Sequence, residues 1–194
     1  MFGEGDYDRS EQVIRQLLDD AGSSTVDQPV VSVRAEGAEV AADWDDRTTP
    51  ETYLGYARGG DLASPEPAAP GSRRYTLPAR LRRNQWALSG TWSIGSEAVV
   101  LDEAGGRIAF RFHARDVNLV MGPLTRGGSG IFRVLLDGGP PGGAHGADVD
   151  DQGDGMLAGQ RLYQLIRQPL PVDDRRFEIE FATPGVQAVV FTFG

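Results

Sequence analysis

Asp148, Asp150 and Gln152 put side-chain oxygens at the first, third and fifth positions of a short acidic stretch, with Gly153 sixth and Asp154 beyond it. This is how an EF-hand-like calcium loop begins, because a hard cation takes several oxygen ligands from a tightly turning backbone. The twelfth position is Gly159, where the full motif needs a bidentate glutamate. Two readings follow: calcium held by Asp148, Asp150, Gln152 and Asp154, or an acidic, turn-rich loop that stays solvated or is tied down by Arg161. His145, in the same glycine-rich stretch, is the better placed of the two histidines for a ligand-binding role. His113 falls on the polar side of a strand pattern and is expected at the surface or in a hydrogen bond. Trp86 and Trp92 are six residues apart, so in one strand they share a face, as a sugar-stacking platform would require. Leu88 and Ile94 share that parity, which equally suits a core. Tyr163, with Leu165 two residues on, poses the same choice.

Catalytic chemistry has little to build on. Serine occurs in no G-x-S-x-G elbow, and Gly127-Gly128-Ser129-Gly130 reads as a turn. A glycosidase needs two carboxylates facing each other across a cleft, and the sequence nominates no pair; a hydrolase built on the acidic loop is the least favoured class. The chain has no cysteine, hence no disulfide, thiolate metal site or thiol chemistry of its own. The expectation is a binding module, not an enzyme.

The 194 residues suffice for one domain with an appendage, and 40% hydrophobic content can fill a core. A net charge of −9 argues against a nucleic-acid partner, since phosphate binding needs a cationic surface. All 19 basic residues are arginine, a pattern attributed to coding bias. Neither an apolar run of membrane-spanning length nor a secretory leader pattern occurs.

The elements that would position these residues fall into three parts. Residues 1–22 carry an amphipathic helix, Arg9 to Ala21, with Val13, Ile14, Leu17, Leu18 and Ala21 on one stripe, Asp8 and Glu11 resembling a capping box, and Gly22 as a stop. A helix of roughly a dozen residues is marginal alone, so this face needs a partner. Residues 23–50 read as a connector containing Trp44 and one short strand, Val30 to Val33. Residues 51–194 read as the sandwich module, in which the period changes to two from Arg73 onward. Ile108, Phe110 and Phe112 alternate with Arg107, Ala109, Arg111 and His113, and Phe177, Ile179 and Phe181 alternate likewise with charged neighbours. Further strands are expected over 86–94, 98–101, 117–121, 131–136, 162–166 and 186–193, after a proline-rich surface loop at 61–72. Glu103 to Gly106, Gly127 to Gly130 and Thr183 to Gly185 read as hairpin turns. The fold class expected is all-β, an antiparallel, jelly-roll-like β-sandwich with one N-terminal α-helix. The glycine-rich stretch between Leu136 and Leu162 is long for a connection inside a compact domain, which marks it as either functional or disordered.

Several blocks, in order, resemble one family. They are Gly3-Glu4-Gly5 with Tyr7 and the following helix, Thr49 to Tyr56, Phe112 to Met121, Asp148 to Leu165, and Phe177 to Phe181 with Phe191 to Gly194. The chain resembles the C-terminal module of DipZ-type thioredoxin-like redoxins, with residues 1–22 similar to the closing helix of the thioredoxin-like domain that precedes that module. The resemblance implies a carbohydrate-binding-like sandwich and an extracytoplasmic or membrane-associated setting. It also implies a thioredoxin-like domain, redox partner or glycan as partner. The family's Cys-x-x-Cys pair has no counterpart here, so no catalytic residue carries over.

Overall fold

The computed structural model describes residues 7–22 and 48–194; the connector strand expected at Val30 to Val33, Trp44, and residues 1–6 lie outside them. The chain divides into two units, Met1–Ala42 and Asp43–Gly194. In the first, the expected helix is α1, Tyr7–Asp20. Its stripe of Val13, Ile14, Leu17 and Leu18 is exposed. It stops at Gly22, whose φ of 74° and N–H donated to the Asp19 carbonyl at 2.9 Å form a left-handed cap.

The second unit carries eleven strands: β1 Thr52–Tyr53, β2 Gly71–Tyr75, β3 Trp86–Ile94, β4 Val99–Leu101, β5 Gly106–His113, β6 Asp116–Pro123, β7 Gly130–Leu136, β8 Asp154–Leu157, β9 Arg161–Arg167, β10 Asp174–Phe181 and β11 Val186–Phe193. They form an antiparallel sandwich. One sheet runs β8-β7-β10-β5-β3 and the other β3-β4-β11-β6-β9, with β2 beside β3 and β1 beside β11. The long strand β3 belongs to both: Trp86–Ser89 pairs with β5, and Gly90–Ile94 pairs with β2. The bend is at Gly90, where φ is 94° and an added Cβ would stand 2.9 Å from the Gly106 Cα. A strand that changes sheets at such a bend makes a corner of the sandwich.

Alternation puts one apolar row of each strand inside. Phe110 meets Phe191 from the opposite sheet at 5.2 Å between ring centres, Phe177 meets Phe191 at 5.7 Å, and Phe132 meets Tyr163 at 6.0 Å. Burying such rings edge to face adds to the area they remove from water.

The three expected hairpin turns serve differently. Glu103 to Gly106 joins β4 to β5, Gly127 to Gly130 joins β6 to β7, and Thr183 to Gly185 joins β10 to β11; none of these strand pairs is hydrogen-bonded, and each connection crosses from one sheet to the other. Period-two patterning states which residues face the core, not which strand lies alongside, and glycine-rich turn chemistry suits an arch as well as a hairpin. β1, β2 and β8 were not expected as strands; β8 lies inside the acidic stretch.

Candidate functional site

The acidic loop is a seam. After β7 it makes a 3-10 turn at Gly142–Ala144 and then lies along the free edge of β9. The Gly146 N–H donates to the Leu165 carbonyl at 3.0 Å, the Asp148 N–H to the Gln164 carbonyl at 3.1 Å, and Asp148 Oδ2 accepts the Gln164 N–H at 2.8 Å. The chain then returns to the other sheet, where the Val134 N–H donates to the Gly153 carbonyl at 2.7 Å and β8 pairs with β7. One connection thus occupies edge positions of both sheets, which would otherwise offer unpaired backbone to other chains.

This geometry spreads the four side chains of the calcium reading over separate partners. Asp148 is paired with Arg161 at 2.6 Å, and Asp154 accepts two hydrogen bonds from Arg133 at 2.7 and 2.9 Å. Asp150 Oδ1 caps the backbone amides of Gln152 and Asp154, and Gln152 Nε2 reaches Asp151 at 3.3 Å. Among the described residues no group of three or more acidic, histidine or cysteine side chains could hold a metal ion. Two of the carboxylates, Asp148 and Asp154, are turned onto guanidinium groups and Asp150 onto backbone amides, so the oxygens do not converge on one point. Millimolar calcium is therefore expected to leave the thermal unfolding midpoint unchanged; a rise of several degrees in calorimetry would reinstate the cation.

His145 is exposed, and its Nδ1 lies 3.0 Å from both the Gly146 and Val149 carbonyls, so that nitrogen carries the proton and holds the turn. The aromatic candidates are not platforms either. Trp86, Trp92 and Tyr163 are buried at 2%, 0% and 0% exposure. Trp86 Nε1 donates to the Gly60 carbonyl at 2.7 Å, Trp92 Nε1 to the Ser89 carbonyl at 2.8 Å, and the Tyr163 hydroxyl to the Gly159 carbonyl at 2.7 Å. A sugar can stack only on an open ring face, so these three are core side chains whose polar atoms are satisfied internally. Tyr56 is an exposed aromatic of the second unit.

The outer face of the first sheet is charged in rows set by strand register. Arg107 pairs with Glu180 at 2.9 Å beside the Arg133–Asp154 pair. At the far end His113 Nδ1 lies 2.9 Å from Asp174, which fits the hydrogen-bonding role expected for this histidine, and Arg83 also bonds Asp174. Burial pushes the Asp174 carboxyl up, but hydrogen bonds from Arg83 and His113 outweigh it and hold the group below its usual range. A depressed folded pKa contributes stability above the unfolded value, and that contribution is lost as pH falls through the folded one. Asp174→Asn is therefore expected to flatten the acid limb of a stability-versus-pH curve and to leave its neutral-to-alkaline shape unchanged, as read by urea midpoints across pH. Neither Asp174 nor Arg83 was singled out from sequence; the available signal was the basic run Arg80-Leu81-Arg82-Arg83 in an acidic chain.

Residues 49–194 match a family model described as thioredoxin-like C-terminal domain. Over 145 residues the chain is 34% identical to Protein DipZ of Mycobacterium bovis and equally to Protein DipZ of Mycobacterium tuberculosis, covering 72% of this chain. It spans only 19% of the length of these relatives. Partial structural likenesses include a family two carbohydrate esterase from Clostridium thermocellum in complex with cellohexaose, with a TM-score of 0.40 and 16% identity over 50% of this chain and 27% of that one. Another is a family two carbohydrate esterase from Cellvibrio japonicus, with a TM-score of 0.43 and 13% identity over 56% and 30%. Among the described residues no helix is long and apolar enough to cross a membrane.

Proposed function

This chain belongs to the family of thioredoxin-like C-terminal domains, and on that premise we propose that its sandwich is a non-catalytic binding module of an extracytoplasmic thiol-disulfide redox system. The observation that carries this reading is a family match across residues 49–194 in a chain without a single cysteine. Dithiol exchange needs a thiolate of lowered pKa, so in such a system the redox step belongs to another polypeptide segment, and the sandwich contributes docking. Its partner is a thioredoxin-like domain, a substrate protein or a cell-envelope glycan. Residues 1–22 serve in this reading as the closing helix of a thioredoxin-like domain and 23–50 as the connector to the sandwich.

The test is an NMR titration of the isotope-labelled chain with the Cys-x-x-Cys-bearing thioredoxin-like domain of a DipZ relative, run beside a glycan array. Saturable shifts clustered on one sandwich face support docking to the redox domain. Glycan binding without protein binding would instead make this an independent carbohydrate-binding module, one whose contacts are not Trp86, Trp92 or Tyr163. Silence in both experiments sinks the proposal.

A further inference from the structure

Charges on the outer face of the first sheet are paired except at one end. An open cleft of about 660 Å³ there is lined by Arg80, Leu81, Arg82, Arg83, Arg111 and Asp174. Four arginines and one aspartate line it, on a chain whose net charge is −9. Asp174 accepts from Arg83 Nη2 at 3.0 Å and from His113 Nδ1 at 2.9 Å, while Arg111 stands off at 4.0 Å. The side chains of Arg80 and Arg82 make no hydrogen bond or ion pair among the described residues.

The cluster is held in place by the fold. Leu81 is buried against Ala87 and Ala109 on the outer face of β3 and β5, with Ala63 and Leu77 beside it. Anchoring Leu81 there leaves Arg80 and Arg82, on either side of it, exposed. The turn closes with the Gln85 N–H on the Arg82 carbonyl at 3.1 Å, the Arg82 N–H on Gln85 Oε1 at 2.9 Å, and Asn84 at a φ of 66°, a left-handed conformation that asparagine tolerates. It is laddered onto β5 at Arg111: the Asn84 N–H donates to the Arg111 carbonyl at 2.7 Å, and the Arg111 N–H to the Gln85 carbonyl at 3.0 Å. The three under-paired arginines are therefore carried on one hydrogen-bonded scaffold.

Gathering like charges on a fixed scaffold is unfavourable unless an anion joins them, and guanidinium forks match phosphate and carboxylate oxygens in pairs. We propose that the cleft binds a multiply charged oxyanion, a phosphate or clustered carboxylates, through Arg80, Arg82 and Arg111. Arg83 is held on Asp174. The site is independent of the redox-partner reading.

The test is a titration of the full labelled chain with inorganic phosphate and, separately, with citrate, at low and high ionic strength. Saturable shifts are expected at the amides of residues 80–85 and 111, weakening with salt because the groups are exposed. The Arg80→Ala/Arg82→Ala variant should weaken binding by about tenfold or more. Arg80→Lys/Arg82→Lys, which keeps charge but loses the fork, should fall between it and the parent chain. Arg126→Ala, outside the cleft, should bind as the parent does. Tighter binding of phosphate assigns the site to a phosphate group, and tighter binding of citrate to clustered carboxylates. Shifts that do not saturate, or that survive the double alanine variant, overturn the site.

Discussion

Trp92→Ala is expected to lower the free energy of unfolding by about 3–5 kcal/mol, read as a fall in the urea midpoint at an unchanged slope. The indole is completely buried just past the Gly90 bend, where β3 passes from one sheet to the other. It meets Phe181 of the opposite sheet edge to face at 6.1 Å, and its Nε1 donates to the Ser89 carbonyl at 2.8 Å. Gly106 lies against it: a Cβ there would come 3.0 Å from Nε1 and 2.2 Å from Leu101 Cδ1, so the ring fills the space that a side chain at 106 would need. Truncation removes both the apolar area and the plug of the corner, and packed neighbours collapse only partly into such a cavity. Trp92→Phe keeps most of the area and is expected to cost less, the residue of its cost arising from the Ser89 carbonyl left without its donor. Tyr56→Ala, at a half-exposed ring, should shift stability by no more than about 0.5 kcal/mol. A Trp92→Ala protein with the parent midpoint would contradict the packing at this corner.

Trp86 and Trp92 both lie on the buried face, and shared parity alone does not distinguish an exposed ring platform from a core row. Leu88 and Ile94 share that face, and a strand buried on one side shows the same alternation whether the apolar row meets a second sheet or a sugar. Strand positions were largely legible for the same reason: β3 and β11 span the residues that alternation marks, and β5 and β10 begin only one or two residues earlier. What alternation does not encode is pairing. β4 and β5 are neighbours in sequence yet belong to different sheets, since turn residues fix local backbone geometry and not the destination of the next strand. β1 has two residues, too few for a period to register, and β2, Gly-Ser-Arg-Arg-Tyr, has a single apolar residue and so no apolar row.

Charge pairing was illegible for a different reason. Asp148 and Asp154 count as free oxygen ligands until Arg161 and Arg133 are known to reach them, and only tertiary structure brings Arg133 across from β7. Arg161 lay close enough in sequence to be considered as a tether, and it is one. The basic run at residues 80–83 was visible, but its meaning depends on Arg111 and on Asp174, which is 91 residues from Arg83. A local motif shows which groups are available, and the fold decides which of them are already partnered.

Gly153→Ala is expected to destabilise the sandwich by about 3 kcal/mol or more, from two additive causes at one atom. Gly153 sits at a φ of 85°, where an L side chain is strained by about 1–2 kcal/mol. Its added Cβ would also stand 2.1 Å from the Val134 carbonyl oxygen, a backbone atom of β7 that cannot swing away as a side-chain tip could. Relieving the clash means pulling the loop off β7, which breaks the hydrogen bond from the Val134 N–H to the Gly153 carbonyl and loosens β8 beside it. The same connection carries Gly146 and Asp148 along β9, so the disturbance reaches the edge of the opposite sheet. Hydrogen exchange should accelerate first at Val134 and then at Gly146, Asp148 and Gln164, ahead of the inner strands β5 and β10. Gly159→Ala is the matched control: nothing lies within 4 Å of its Cβ position and its φ is ordinary, so its effect should stay within about 0.5 kcal/mol. If both variants melt like the parent chain, the acidic loop is a decoration on the sandwich; if only Gly153→Ala falls, and falls from its edges inward, the loop is what closes it.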